Sequence, residues 1–172
     1  MLELVYNVKV PKDLVISDKE AAEAAALGVS ELVVQHLRDK NAATTRPDGF
    51  PKTDYYADAA DSVTTQVSGG KAIVTIEKEG IALHYWGGTV HPKKKALAIP
   101  IDPSVAGIWP SEHGGELAVV WKKGERSGLL MEDDKALYRL VHSATVPADK
   151  SVLPTDDEIE RAATDAIDGA VA

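Results

Sequence analysis

Ser17-Asp18-Lys19-Glu20-Ala21-Ala22-Glu23-Ala24-Ala25-Ala26-Leu27-Gly28-Val29-Ser30-Glu31-Leu32-Val33-Val34-Gln35-His36-Leu37-Arg38-Asp39-Lys40 is the stretch from which the rest of the chain can be placed. Ser17 and Glu20 have capping-box spacing, in which the hydroxyl and the carboxylate each satisfy a backbone N–H that a helix start leaves unpaired. From Asp18 to about Lys40, the apolar positions Ala22, Ala25, Ala26, Val29, Leu32, Val33 and Leu37 recur at spacings of three and four. That pattern predicts one long helix with a single buried stripe over roughly 30 Å. On its N-terminal side, Leu2, Leu4, Tyr6, Val8 and Val10 alternate with period two, which predicts a half-buried strand stopped by Pro11.

On the C-terminal side the pattern changes. Asn41 to Asp54 carries Thr44-Thr45-Arg46-Pro47-Asp48-Gly49-Phe50-Pro51, rich in turn formers and without periodicity, and reads as a long loop. Val63, Thr65 and Val67, then Ser68-Gly69-Gly70, then Ile73-Val74-Thr75-Ile76 read as a hairpin whose glycines take the positive φ angles of the turn. Further strands are expected at Ala96 to Ile101, Glu116 to Trp121, Gly128 to Met131 and Ala136 to Val141, with Lys122 to Ser127 as a turn. Thr155 and Glu158 repeat the capping-box spacing before Ile159, Ala162, Ala163, Ala166, Ile167 and Ala170. This second amphipathic helix is faced mainly with alanine. At roughly 0.8 kcal/mol per buried methylene-sized group it needs a very close neighbour to be held. The fold class is therefore α+β, a long N-terminal helix and a C-terminal helix packed on an antiparallel β-sheet of five or more strands.

Length and composition bound what such a chain does. The 172 residues fit one domain, 1–172, with one core. Apolar residues at 44% and charged residues at 27% put it among ordinary folded proteins. No apolar run approaches the roughly 20 residues of a membrane span. Met1-Leu2-Glu3-Leu4 does not resemble a secretory signal, so synthesis and function on the cytoplasmic side are expected. The absence of cysteine removes disulfides, thiolate ligands and a thiol nucleophile. A net charge of −8 argues against a freestanding DNA binder, which gains affinity by replacing phosphate counterions with Lys and Arg.

Catalytic signatures are weak. His36, His84, His91, His113 and His142 form no H-E-x-x-H pair. His36 falls near the end of the long helix, where the macrodipole favours a cation. His84, His91 and His113 lie near glycine-containing turns, and a loop-built metal-dependent hydrolase using them with nearby carboxylates is the alternative functional reading. Ser104, Ser111 and Ser127 look like turn residues, without the neighbours of a nucleophile elbow. Gly69-Gly70-Lys71 is better explained as a hairpin turn than as a phosphate cradle. The acidic runs Glu132-Asp133-Asp134 and Asp156-Asp157-Glu158 suit a polar loop and a helix N-terminus, and neither has calcium-loop spacing. No cofactor, metal or catalytic residue is assigned.

One segment has a character of its own: Gly80-Ile81-Ala82-Leu83-His84-Tyr85-Trp86-Gly87-Gly88-Thr89-Val90-His91-Pro92-Lys93-Lys94-Lys95-Ala96-Leu97-Ala98-Ile99-Pro100. An aromatic pair meets a double glycine, a lysine run and an apolar strand closed by proline. The glycines permit a tight reversal, Pro92 stiffens the exit and three consecutive lysines are hard to bury. The whole of Ile81 to Pro100 is expected to project as a β-edge element made for protein contact. This run resembles the bacteriophage virion morphogenesis (tail completion) family, whose members carry a similar His, aromatic, Gly-Gly, Thr or Ile, basic-Pro-Lys, Leu-x-Ile-Pro sequence. Tyr55 to Val63, Tyr138 to Val141 and Ser151 to Glu158 resemble related prophage sequences, so the likeness covers Asp54 to the C-terminus. The pair Tyr85-Trp86 departs from the commoner glutamine-phenylalanine or tyrosine-phenylalanine.

The resemblance implies a non-enzymatic structural protein of a phage or prophage. It would act in tail completion or head-tail joining, as a homo-oligomeric ring that also contacts other tail or head proteins. DNA would only pass through the ring, and neither a membrane nor a small-molecule substrate is expected. The protein would reside in the virion, and in the host cytoplasm during assembly. Carried over as contact candidates are Tyr85, Trp86, Gly87, Gly88, Lys93, Lys94 and Lys95, with the protruding loop and the alanine-faced C-terminal helix expected to make subunit contacts in the ring.

Overall fold

The capping box at Ser17 forms as read. In a computed structural model, Glu20 N–H donates to Ser17 Oγ at 3.2 Å and Ser17 N–H donates to Glu20 Oε2 at 2.9 Å. The structure describes residues 2–7, 17–46, 49–68, 70–121, 124 and 127–171. In chain order its elements are β1 (Leu2–Asn7), α1 (Asp18–Ala43), α2 (Tyr55–Asp61), β2 (Val63–Ser68), β3 (Lys71–Ile76) and α3 (Ile81–Trp86). There follow β4 (Gly88–Val90), β5 (Leu97–Pro100), β6 (Ala118–Trp121), β7 (Ser127–Glu132), β8 (Lys135–Val141), β9 (Ala144–Val146) and α4 (Asp156–Val171). The fold is α+β, with long N- and C-terminal helices and antiparallel sheets. Val8 to Val10, Pro11, Gly69 and most of the Lys122 to Ser127 turn lie outside the described residues.

Where one sheet of five or more strands was expected, the described strands form three: β1-β3-β2, β4-β9 and β5-β8-β7-β6. After β3 the chain enters the short helix α3 instead of a further strand, so the later strands pair among themselves. The chain likewise gathers into two compact units within the length read as one domain. The first comprises Met1–Thr44, Asp54–Gly87 and Ala148–Ala172, and the second Thr45–Thr53 and Gly88–Pro147.

In the first unit α1 packs on β2, β3, α2 and α4. Its buried stripe is Ala21, Ala22, Ala25, Ala26, Val29, Val33 and Leu37, with Leu32 only half-buried. They meet Ala72, Val74 and Ile76 of β3, Tyr56, Ala59 and Ala60 of α2, and Ile159, Ala163 and Ile167 of α4. Each fully buried Val, Leu or Ile contributes about 1.5–3 kcal/mol. The alanine face of α4 is held by close approach. A methyl placed at Gly28 of α1 would lie 2.6 Å from Ala166 Cβ and 2.7 Å from the Ala162 carbonyl oxygen. Small residues on both helices let the backbones approach until modest side chains fill the interface. The second capping box also forms, Thr155 N–H donating to Glu158 Oε2 at 2.8 Å.

The second unit is thinner. Val105, Leu130, Leu137, Tyr138 and Leu140 make its core, flanked by Ala96, Ala98 and Leu117. The Tyr138 hydroxyl, buried in that core, donates to the Ile108 carbonyl at 3.0 Å, so its polar end is satisfied. A 3₁₀ turn at Pro103–Val105 is capped by Asp102, whose carboxylate accepts from Ser104 N–H at 2.9 Å and lies 2.8 Å from Lys135 Nζ. The hydrogen bond from Lys135, with those from Ser104, holds the Asp102 carboxyl down at about 2.

Candidate protein-contact site

The segment read as one projecting β-edge element is divided by the fold. Ile81–Trp86 is a helix of six residues, β4 and β5 follow, and Lys93 to Lys95 form the exposed bend between them. Ile81 is fully buried in the core of the first unit. The expectation of a continuous projecting element over Ile81 to Pro100 is corrected accordingly. Its cause is that Ile81 and Ala82 find apolar partners in the first unit, which draws the start of the segment inward. Six residues are too few for helical periodicity to register in a sequence.

Gly87 ends α3 at φ 72° and ψ 176°, its N–H donating to the Leu83 carbonyl at 2.8 Å. Only glycine takes that backbone conformation without strain. At Gly87 to Gly88 the chain leaves the first unit for the second, so the contact candidates fall into two sets. Tyr85, Trp86 and Gly87 belong to one unit, and Gly88, Lys93, Lys94 and Lys95 to the other.

Tyr85 is half-buried, whereas Trp86 is 66% exposed. Their rings meet edge to face at a centroid separation of 4.7 Å. Lys150, which sequence reasoning did not single out, lies over both, its Nζ 3.9 Å from the Tyr85 centroid and 3.5 Å from that of Trp86. An exposed cation–π contact of this kind contributes about 0.5–1 kcal/mol. Asp149 fixes the segment that carries the lysine. Its N–H donates to the His84 carbonyl at 2.9 Å, and its carboxylate accepts from Ser151 Oγ at 2.7 Å and lies 2.9 Å from Lys40 Nζ. The Ser151 hydroxyl and the Lys40 ammonium together hold the Asp149 carboxyl at about 2. Residues this far apart in the chain offered no common motif from which to find the arrangement.

The histidines are placed individually. His84 packs on Tyr55 and Tyr56, with centroids 4.8 and 5.9 Å away. Burial pushes the Tyr55 phenol up to about 12, so it remains a donor, to the Glu79 carbonyl at 2.9 Å. His113 Nε2 lies 3.1 Å from Glu132 Oε1, and His91 is exposed. His142 stacks on Trp121 at 5.3 Å, and His36 Nε2 donates to the Ser151 carbonyl at 3.0 Å. Among the described residues, no group of three or more His, Asp or Glu side chains is gathered closely enough to hold a metal ion. Among the same residues no helix is long and apolar enough to cross a membrane.

The more extensive surface lies in the second unit. Ala118, Val119, Val120 and Trp121 of β6 are all exposed, and β6 is an edge strand, paired only with β7 among the described strands. Val119 is 59% exposed and Trp109 69%. Ile99, Ile101 and Ile108 are also exposed. Trp109 and Ile108 border an open apolar cavity of about 260 Å³ with Ala98, Pro100, Gly107 and Pro110. An exposed apolar edge, even of four residues, offers open backbone donors and acceptors to another chain, and monomeric proteins usually blunt such edges with charge. Compared with protein-family models, curated proteins and solved structures, the chain matches none of them.

Proposed function

We propose that this chain is a structural, non-enzymatic subunit of a phage or prophage virion. It acts in tail completion or head-tail joining by assembling into a ring with copies of itself and docking to other tail or head proteins. The observation that carries this reading is the uncharged strand β6, exposed along its whole length, in a unit that also exposes Trp109 and Ile108. Apolar side chains in that number gain free energy only when another protein covers them. The resemblance of the Gly-Gly to Ile-Pro run supplies the biological setting. A net charge of −8 offers no general attraction for phosphate, which suits a duplex that passes through a ring without being gripped. The protein's place is then the virion, and the host cytoplasm while particles are built.

Sedimentation velocity over a wide concentration range, with electron microscopy of the same sample, tests the reading. A closed oligomer with a central opening is expected. A monomer at every concentration would overturn it. Trp86→Ala, measured in parallel, is expected to weaken the oligomer; an unchanged distribution of species would remove Trp86 from the contact set.

A further inference from the structure

The four-stranded sheet of the second unit has two unequal faces. Directly opposed residues on neighbouring strands point to the same side. One row is Ala98, Leu140, Gly128 and Trp121, on the side that holds the core. The adjacent row, on the other side, is Ile99, Arg139, Leu129 and Val120. Ile99, Arg139 and Val120 are exposed and Leu129 is half-buried. This face is apolar with a guanidinium at its centre, and Arg139 forms no ion pair with a described residue. Lys93, Lys94 and Lys95 precede β5 at its edge and add positive charge.

The first unit carries a surface of the opposite kind. Glu23, Leu27 and Glu31 stand one turn apart on the outward side of α1, all exposed, with Leu27 59% exposed. Among the described residues Glu23 is engaged only by Lys19 at 3.5 Å, and both side chains are more than half exposed, so that pair is weak. Glu31 forms no ion pair with a described residue. A large apolar side chain between two carboxylates matches an apolar sheet face centred on a guanidinium. Self-association of the sheet face about a two-fold axis is disfavoured, because it would bring two Arg139 side chains together with no acid between them.

We propose that the open face of the β5-β8-β7-β6 sheet in one copy receives the Glu23-Leu27-Glu31 stripe of α1 from a second copy. Leu27 seats among Ile99, Leu129 and Val120, and the Glu31 carboxylate pairs with Arg139. This rests on the self-assembly reading above and specifies its interface. Because the two surfaces differ, the contact is heterologous, the kind that propagates around a ring. A charge-exchange cycle tests it by sedimentation velocity, with circular dichroism confirming that each variant folds. Arg139→Glu and Glu31→Arg are each expected to raise the dissociation constant at least about tenfold, as is ordinary for a buried charge pair broken on one side. The variant carrying both is expected to recover most of that loss. If the wild type assembles and neither single substitution weakens it, or both weaken it and the double variant does not recover, this interface is wrong while self-assembly stands. A wild type that never assembles removes the interface and the functional reading together.

Discussion

The two units spend their apolar residues differently. In the first, the stripe of α1, the inner side of β3, the small α2 and the inner side of α4 close on one another, leaving Leu27, Trp86 and Val171 as the large apolar side chains exposed among the described residues. In the second, five buried residues form the core, while Ile99, Ile101, Ile108, Trp109, Val119, Val120 and Trp121 are exposed. The first unit is a closed helix-and-sheet sandwich, and the second is a sheet lacking a covering layer on one side. A layer that is missing within a chain can be supplied by another chain, and the interface proposed above uses that open face.

The contrast predicts unequal sensitivity to loss of a core side chain. Leu37→Ala, at a fully buried position of the first unit, is expected to cost about 3–5 kcal/mol, and Leu140→Ala in the second about 2 kcal/mol, because a shallow core adjusts around the gap. Urea unfolding followed by hydrogen exchange with mass spectrometry measures both by region. Equal losses would break the distinction. The α1 and α4 contact sharpens it further. Gly28→Ala is expected to cost about 1–3 kcal/mol by forcing the two helices apart, whereas Gly169→Ala, where an added methyl meets nothing within 4 Å, is expected to gain a fraction of that. A Gly28→Ala protein that melts at the wild-type temperature would mean that the two backbones are not closely packed.

The smallest effect is on acid stability. Asp149 titrates at about 2 in the folded chain against an ordinary 3.8, so the unfolded chain takes up the proton first as the pH falls. Its contribution is complete above about pH 5 and is lost on descending through the folded value. Asp149→Asn should therefore lower the urea midpoint at neutral pH and converge with the wild type near pH 2. Because the carboxylate is partly exposed, solvent screens the effect to a modest size. A constant difference between the two proteins across that range would contradict the assigned role.

Much of the fold was legible because it is local. The capping boxes at Ser17 and Thr155, the stripe from Ala22 to Leu37, the hairpin around Gly70 and the strands β5, β6, β7 and β8 each carry their signal within a few residues, whereas the three-residue strands β4 and β9 do not. The helix α2 was missed because Asp54 makes no side-chain cap and seven residues hold less than two turns of pattern. The contact candidates were named individually, but their grouping was not legible. Nothing in Tyr85-Trp86 announces Lys150, and nothing in the run from Gly80 to Pro100 announces that one compact unit gives way to the other at Gly87 to Gly88.

The sequence by itself determined the class of the fold, the starts of its two long helices and the places of most of its strands, because capping, periodicity and turn chemistry act between near neighbours. Only the tertiary structure decided that the strands divide into three sheets, that Gly28 sets the seating of α4, and that one sheet face remains open. Those outcomes depend on which distant side chains meet first and bury most, and that competition leaves no mark in any short stretch of residues.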